Sequence, residues 1–127
     1  LEKELCTLNK NNVYVSSCGI SALDGAGVTS FTQDLLQQEG LDARKHRAIR
    51  LSNKLIRRAD VVLAMAGAHK EEILKTYPGF KDRVYLLSEF SENSRLDISD
   101  PIGQPEEEYR RCFLQVKNLV KKAALKI

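Results

Sequence analysis

Two spacings of apolar residues alternate along the chain and divide it into short elements. Leu1, Leu5 and Leu8 recur at helical spacing, which predicts a helix over Leu1 to Leu8. Asn9-Lys10-Asn11-Asn12 is a turn, and Val13-Tyr14-Val15 reads as a short strand running into Ser16-Ser17. Cys18 to Val28 is expected as loop, with its turn at Asp24-Gly25. Ser30 and Gln33 stand at capping-box spacing before a helix from about Phe31 to Glu39, stopped by Gly40. Ser52 is placed to cap another short helix ending near Arg58. Val61 to Met65 is a continuous apolar run, the signature of a strand covered on both faces in a parallel sheet. A helix from about Ala68 to Thr76 should end at Pro78-Gly79, and Val84 to Leu87 is the next strand. A polar loop then leads to Asp100-Pro101-Ile102-Gly103. The last helix opens at Pro105, with Glu106, Glu107 and Glu108 at its positive end and lysines at its negative end. Its apolar stripe is Tyr109, Phe113, Val116, Val120 and Ala124, which should leave Lys117, Lys121 and Lys122 facing water.

Helices that alternate with short buried strands imply βαβ units, and so an α/β fold with three layers around a doubly wound parallel sheet. A single domain is expected over residues 1–127. The opening helix has no strand before it, although such a helix normally crosses over from one. We therefore expect the first, central strand to be missing from these residues and Val13 to Ser17 to lack its proper ladder partner.

Composition narrows the class. At 43% hydrophobic and 29% charged, the chain is globular rather than disordered. No apolar run approaches the ~20 residues of a membrane-spanning helix, so no membrane partner is expected. A net charge of +3 permits an anionic partner without requiring nucleic acid. Cys6, Cys18 and Cys112 have no metal-ligand spacing, and their odd number argues against a disulfide framework. A reducing, cytoplasmic setting without metal or cofactor is expected, with Cys18 and Cys112 as small buried apolar residues.

Asp100-Pro101 is the sharpest local feature. Proline holds the preceding aspartate extended, and a carboxylate fixed on a loop can act as a general acid. The same dipeptide also serves simply as a turn. Arg44, Lys45, His46, Arg47, Arg50, Arg57 and Arg58 form a basic stretch that could draw in phosphate or remain a solvated face. His46 and His69 taken singly suit surface positions.

Six segments in order resemble the low molecular weight protein-tyrosine phosphatase family, in a bacterial style that includes its protein arginine phosphatase branch. They are Val15-Ser16-Ser17-Cys18-Gly19-Ile20; Glu39-Gly40-Leu41-Asp42 with His46-Arg47-Ala48; and Arg58-Ala59-Asp60-Val61-Val62-Leu63-Ala64-Met65 with His69-Lys70. Arg83 to Phe90, Asp97-Ile98-Ser99-Asp100-Pro101-Ile102-Gly103 and Tyr109-Arg110-Arg111-Cys112 complete the set. Members of this family attack a phosphomonoester with a cysteine thiolate from a Cys-x5-Arg loop that follows the central strand. The resemblance implies that Asp100 is the general acid and base, that Ser17 and His46 brace the phosphate loop, and that the partner is a phosphorylated protein.

The departures bear on activity. Six residues after Cys6, Cys18 and Cys112 stand Asn12, Asp24 and Asn118, so no Cys-x5-Arg is present. Leu1 to Leu5 resembles the latter half of the helix that follows that loop, and the chain is expected to lack family chemistry on its own. Ile102-Gly103 offers no ring after the Asp-Pro, which leaves phosphotyrosine and phosphoarginine both open. A thioredoxin-linked arsenate reductase would need further cysteines between Ala66 and Ser99, where there are none. A non-catalytic binding module on the same fold needs no nucleophile. A nucleotide-binding domain would need a glycine-rich loop that Gly25-x-Gly27 matches poorly.

Overall fold

The computed structural model describes residues 1–127. Eight elements follow in order: α1 (Glu2–Thr7), α2 (Ser30–Gln38), α3 (Asn53–Arg58), β1 (Val62–Ala64), α4 (Gly67–Thr76), β2 (Val84–Leu86), α5 (Leu87–Glu92) and α6 (Glu106–Lys126). A 3₁₀ turn over Pro78–Arg83 leads into β2.

β1 and β2 pair in parallel, with Val62 opposite Val84, Leu63 opposite Tyr85 and Ala64 opposite Leu86. Side chains alternate across the pleat and separate the core into two parts. On one face Ala64, Val84 and Leu86 pack with Ile56 of α3 and Ile73 of α4. On the other, Leu63 meets Leu87, Ile98, Leu119 and Ala123, from α5, α6 and the loop between them. The result is helix, sheet and helix in three layers.

α1 and α2 lie on α6. Leu5 is the buried residue of α1, at 2% exposure, and the rings of Phe31 and Tyr109 meet at 5.3 Å between α2 and α6. Lys10 Nζ donates to the carbonyls of Ala124 at 2.9 Å and Ile127 at 3.1 Å. It thereby satisfies acceptors that the last turn of α6 leaves free and places a cation at the negative end of the helix.

The structure corrects several expectations, but Val13–Val15 joins no ladder, as expected of a segment without its partner, and residues 13–18 make no backbone hydrogen bond. β-prone residues become a strand only where another edge meets them, and the sheet has two strands rather than three. Thr29, not Ser30, caps α2, its Oγ1 accepting from the Thr32 amide at 3.4 Å. Gln33 donates back to the Val28 carbonyl at 3.2 Å.

The supposed polar loop after β2 contains α5. Six residues with two serines are too short to predict as a helix, because short helices are marginal without tertiary support. Here Ser88 Oγ donates to the Leu96 carbonyl and Ser91 Oγ to the Leu119 carbonyl, both at 2.8 Å.

On α6 the buried residues are Tyr109, Leu119, Ala123 and Ala124, while Phe113, Val116 and Val120 are half-buried. The face turns toward α5, which the sequence did not reveal. Lys117 pairs with Glu39 and Lys122 with Glu92, so only Lys121 of the three lysines stands without an ion-pair partner. Cys18 is exposed rather than buried.

Candidate active site

In an open parallel sheet, ligands are taken up beyond the carboxyl ends of the strands. β1 ends at Ala64, and two contacts fasten a distant loop just beyond it. The Ile98 amide donates to the Met65 carbonyl at 2.8 Å. The Gly67 amide, at the start of α4, donates to Asp97 Oδ1 at 2.8 Å. Asp97 thus satisfies one of the orphan amides of α4 and puts a negative charge at its positive end. Asp97 falls within the quoted Asp-Ile-Ser-Asp-Pro segment, yet its own role is invisible in sequence, because its partner lies 30 residues away.

Asp100 follows on this anchored loop. It is exposed, and its Oδ1 accepts the Ile102 amide at 3.0 Å, which turns the chain around Pro101. Oδ2 has no hydrogen-bond partner within the protein. Pro101 itself lines an apolar groove of about 310 Å³ between α1, α2 and α6, together with Cys112, Phe113 and Val116.

Ser17 and His46 are both exposed and share no hydrogen bond with each other or with Asp100. Their segments are nonetheless brought side by side. Gly19 donates to the Ile49 carbonyl at 2.9 Å, and Leu51 donates back to the Gly19 carbonyl at 3.0 Å. Further along, Gly25 donates to the Ala48 carbonyl at 2.9 Å and Ala48 to the Ala26 carbonyl at 2.8 Å. Asp24 Oδ1 accepts the Arg50 amide at 2.6 Å and closes the same seam. Gly25, at φ +86°, makes the turn that this seam requires.

Cys18 and Cys112 are poor nucleophiles. Partial burial pushes the Cys18 thiol up from its ordinary value. Burial, with the nearby Asp100 carboxylate adding to it, does the same to Cys112. A raised thiol stays protonated at neutral pH, whereas attack needs the thiolate. No three His, Cys, Asp or Glu side chains gather closely enough to hold a metal ion.

One further polar cluster escaped the sequence reading. Glu89 Oε2 accepts from Lys70 Nζ at 2.7 Å and from the Leu86 amide at 2.8 Å. The Lys70 hydrogen bond is the chief cause that holds its carboxyl below the usual range. This pair ties α4 to the β2–α5 corner.

The fold is three-layered α/β with an Asp-Pro loop anchored beyond the end of β1, and comparison with known proteins gives the family. The family model described as "Low molecular weight phosphotyrosine protein phosphatase" matches residues 4–127, and the chain belongs to that family. It is 33% identical to the Protein-arginine-phosphatase of Geobacillus stearothermophilus, over 91% of this chain and 77% of that protein. It is 38% identical to the Probable low molecular weight protein-tyrosine-phosphatase EpsP of Ralstonia solanacearum, over 70% of this chain and 59% of that one. Among solved structures, the YwlE arginine phosphatase from Geobacillus stearothermophilus superposes with a TM-score of 0.89 at 32% identity, covering 97% of this chain and 79% of the other. The low molecular weight protein tyrosine phosphatase from T. tengcongensis gives 0.83 at 33% identity, over 88% and 76%. No helix is long and apolar enough to cross a membrane.

Proposed function

We propose that this domain contributes the general acid and base of a phosphoprotein phosphatase, and that Asp100 is that group. The observation that carries the reading is the anchoring of the Asp97–Asp100 loop beyond the end of β1, by the Ile98–Met65 and Gly67–Asp97 hydrogen bonds. An aspartate held there with one oxygen engaged and the other open can protonate a leaving oxygen. It can then take a proton from the water that hydrolyses a phosphocysteine. Ser17 and His46 are proposed as braces for a phosphate loop, a role supported by the seam that aligns their segments. The cytoplasmic setting is part of the same proposal, supported by three cysteines that form no disulfide.

The 127 residues contain no Cys-x5-Arg, so the chain by itself should not hydrolyse para-nitrophenyl phosphate. Measurable turnover that disappears in Asp100→Ala would refute the absence of a nucleophile. When the chain is combined with a segment bearing an apolar strand and a Cys-x5-Arg loop, turnover should appear. Asp100→Ala should then lower kcat by about 10²–10⁴-fold with little change in KM.

The arginine-directed reading is favoured by the named arginine phosphatase relatives, while Ile102, which gives no aromatic wall after the Asp-Pro, leaves both substrates open. Parallel assays on phosphoarginine and phosphotyrosine peptides decide between the two.

A further inference from the structure

The charge of this chain is concentrated in one place. Residues 44–58 carry Arg44, Lys45, Arg47, Arg50, Lys54, Arg57 and Arg58 without a single Asp or Glu. The other 112 residues hold thirteen Lys or Arg against all seventeen Asp or Glu, a formal charge of −4 beside the +7 of this stretch. All seven basic side chains are exposed.

Only Arg44 has a carboxylate partner, Asp42, at 2.8 Å. The others bond to neutral acceptors or to none. Arg47 Nη1 donates to the Arg44 and His46 carbonyls, Arg50 Nε to the Ile20 carbonyl and Arg57 Nε to Asn53 Oδ1. Such bonds orient a guanidinium but leave its charge uncompensated. Asp24, held on the Arg50 amide, and Asp60, just beyond α3, are the adjacent acids. With Asp42 they reduce the local charge from +7 to +4.

The fold holds both parts of this stretch at the surface. Ile56, the buried residue of α3, packs into the core at 1% exposure, so Lys54, Arg57 and Arg58 point outward. The seam with residues 19–26 fixes the 48–51 segment that carries Arg50. Arg83 adds another cation, its Nη1 reaching the Ala59 carbonyl at 3.5 Å.

We propose that this basic surface docks an acidic segment of the protein substrate. A protein ligand is favoured over nucleic acid because residues 44–58 contain no Phe, Tyr or Trp to stack a base. α3 is also too short, at six residues, to fill a groove. The inference rests on the phosphatase reading only for the nature of the partner. The charge interaction is independent of Asp100.

The test is fluorescence anisotropy with labelled peptides of one length, flanked either by Asp and Glu or by Ser and Gly, each with and without a phosphoryl group. At about 20 mM salt the acidic peptides should bind about tenfold tighter than the neutral ones, phosphorylated or not, and the advantage should vanish near 300 mM. The variant Lys54→Glu/Arg57→Glu/Arg58→Glu should lose that preference. Lys75→Glu/Lys81→Glu/Lys121→Glu, with the same change in net charge elsewhere, should keep it. Circular dichroism of both variants, and the milder Lys54→Gln/Arg57→Gln/Arg58→Gln, separate lost charge from lost fold.

Equal binding of acidic and neutral peptides would overturn the proposal. So would an equal loss in both charge-reversed variants. Single-stranded DNA binding more tightly than the acidic peptide, through Lys54, Arg57 and Arg58, would assign the surface to nucleic acid instead. A failure of Asp100→Ala to affect turnover would count against the phosphatase reading while leaving these binding results intact.

Discussion

Glu89 shows what a single carboxylate contributes when its partners come from three parts of the chain. Its side chain is 21% exposed, and Lys70, the Leu86 amide and Arg95 all favour its charged form. A depressed carboxyl stabilises the fold above its unfolded pKa, and that stabilisation is lost as pH falls through the folded value. Wild type should therefore exceed Glu89→Gln by about 1–2 kcal/mol at neutral pH, a difference that shrinks steadily below about pH 5. Chemical denaturation of both proteins across that range checks it, and a gap that is constant with pH would mean the pair carries no charge-dependent stability. Among the proposed site residues, the Asp100-Pro101 turn was legible because a dipeptide encodes it. Asp97 and Glu89 were not, since the Gly67 amide on Asp97 and the Lys70 ammonium on Glu89 are brought near only by folding.

At the scale of elements, α6 is the scaffold on which α1, α2 and α5 rest. Periodicity found its length and its charge polarity but placed its buried face around Phe113 and Val120. The face is centred instead where α5 packs, at Leu119 and Ala123, and α5 had been read as loop. Leu119 is 4% exposed and Leu114 is 57% exposed. Leu119→Ala should cost about 2–4 kcal/mol in urea denaturation, and Leu114→Ala well under 1 kcal/mol. Equal costs would show that α5 does not seal this face. Helices with a strong stripe or a clear cap, such as α3 behind Ser52, were readable locally. α5 was not, because its serines bond to the carbonyls of Leu96 and Leu119 and its Glu89 pairs with the distant Lys70.

For the whole molecule, the segment before the sheet, residues 13–18, is the weakest part. Only 15 of 127 residues are buried, and Tyr14 is 97% exposed within a segment that makes no backbone hydrogen bond. Hydrogen exchange should find the amides of Tyr14, Val15 and Ser16 almost unprotected. Amides in the β1–β2 ladder should exchange at least about 10³-fold more slowly. Equal protection in the two places would mean that Val13–Ser17 is held in a sheet after all. The sequence by itself determined the alternation of helix and strand, the family, the Asp-Pro turn and the basic run, because each is written in neighbouring residues. The tertiary structure alone decided which face of α6 is covered, whether Val13–Val15 becomes a strand, and how the Asp100 loop is fixed. Each of these depends on a hydrogen-bonding edge or an apolar surface that residues far away in the chain must supply, and local spacing holds no information about that.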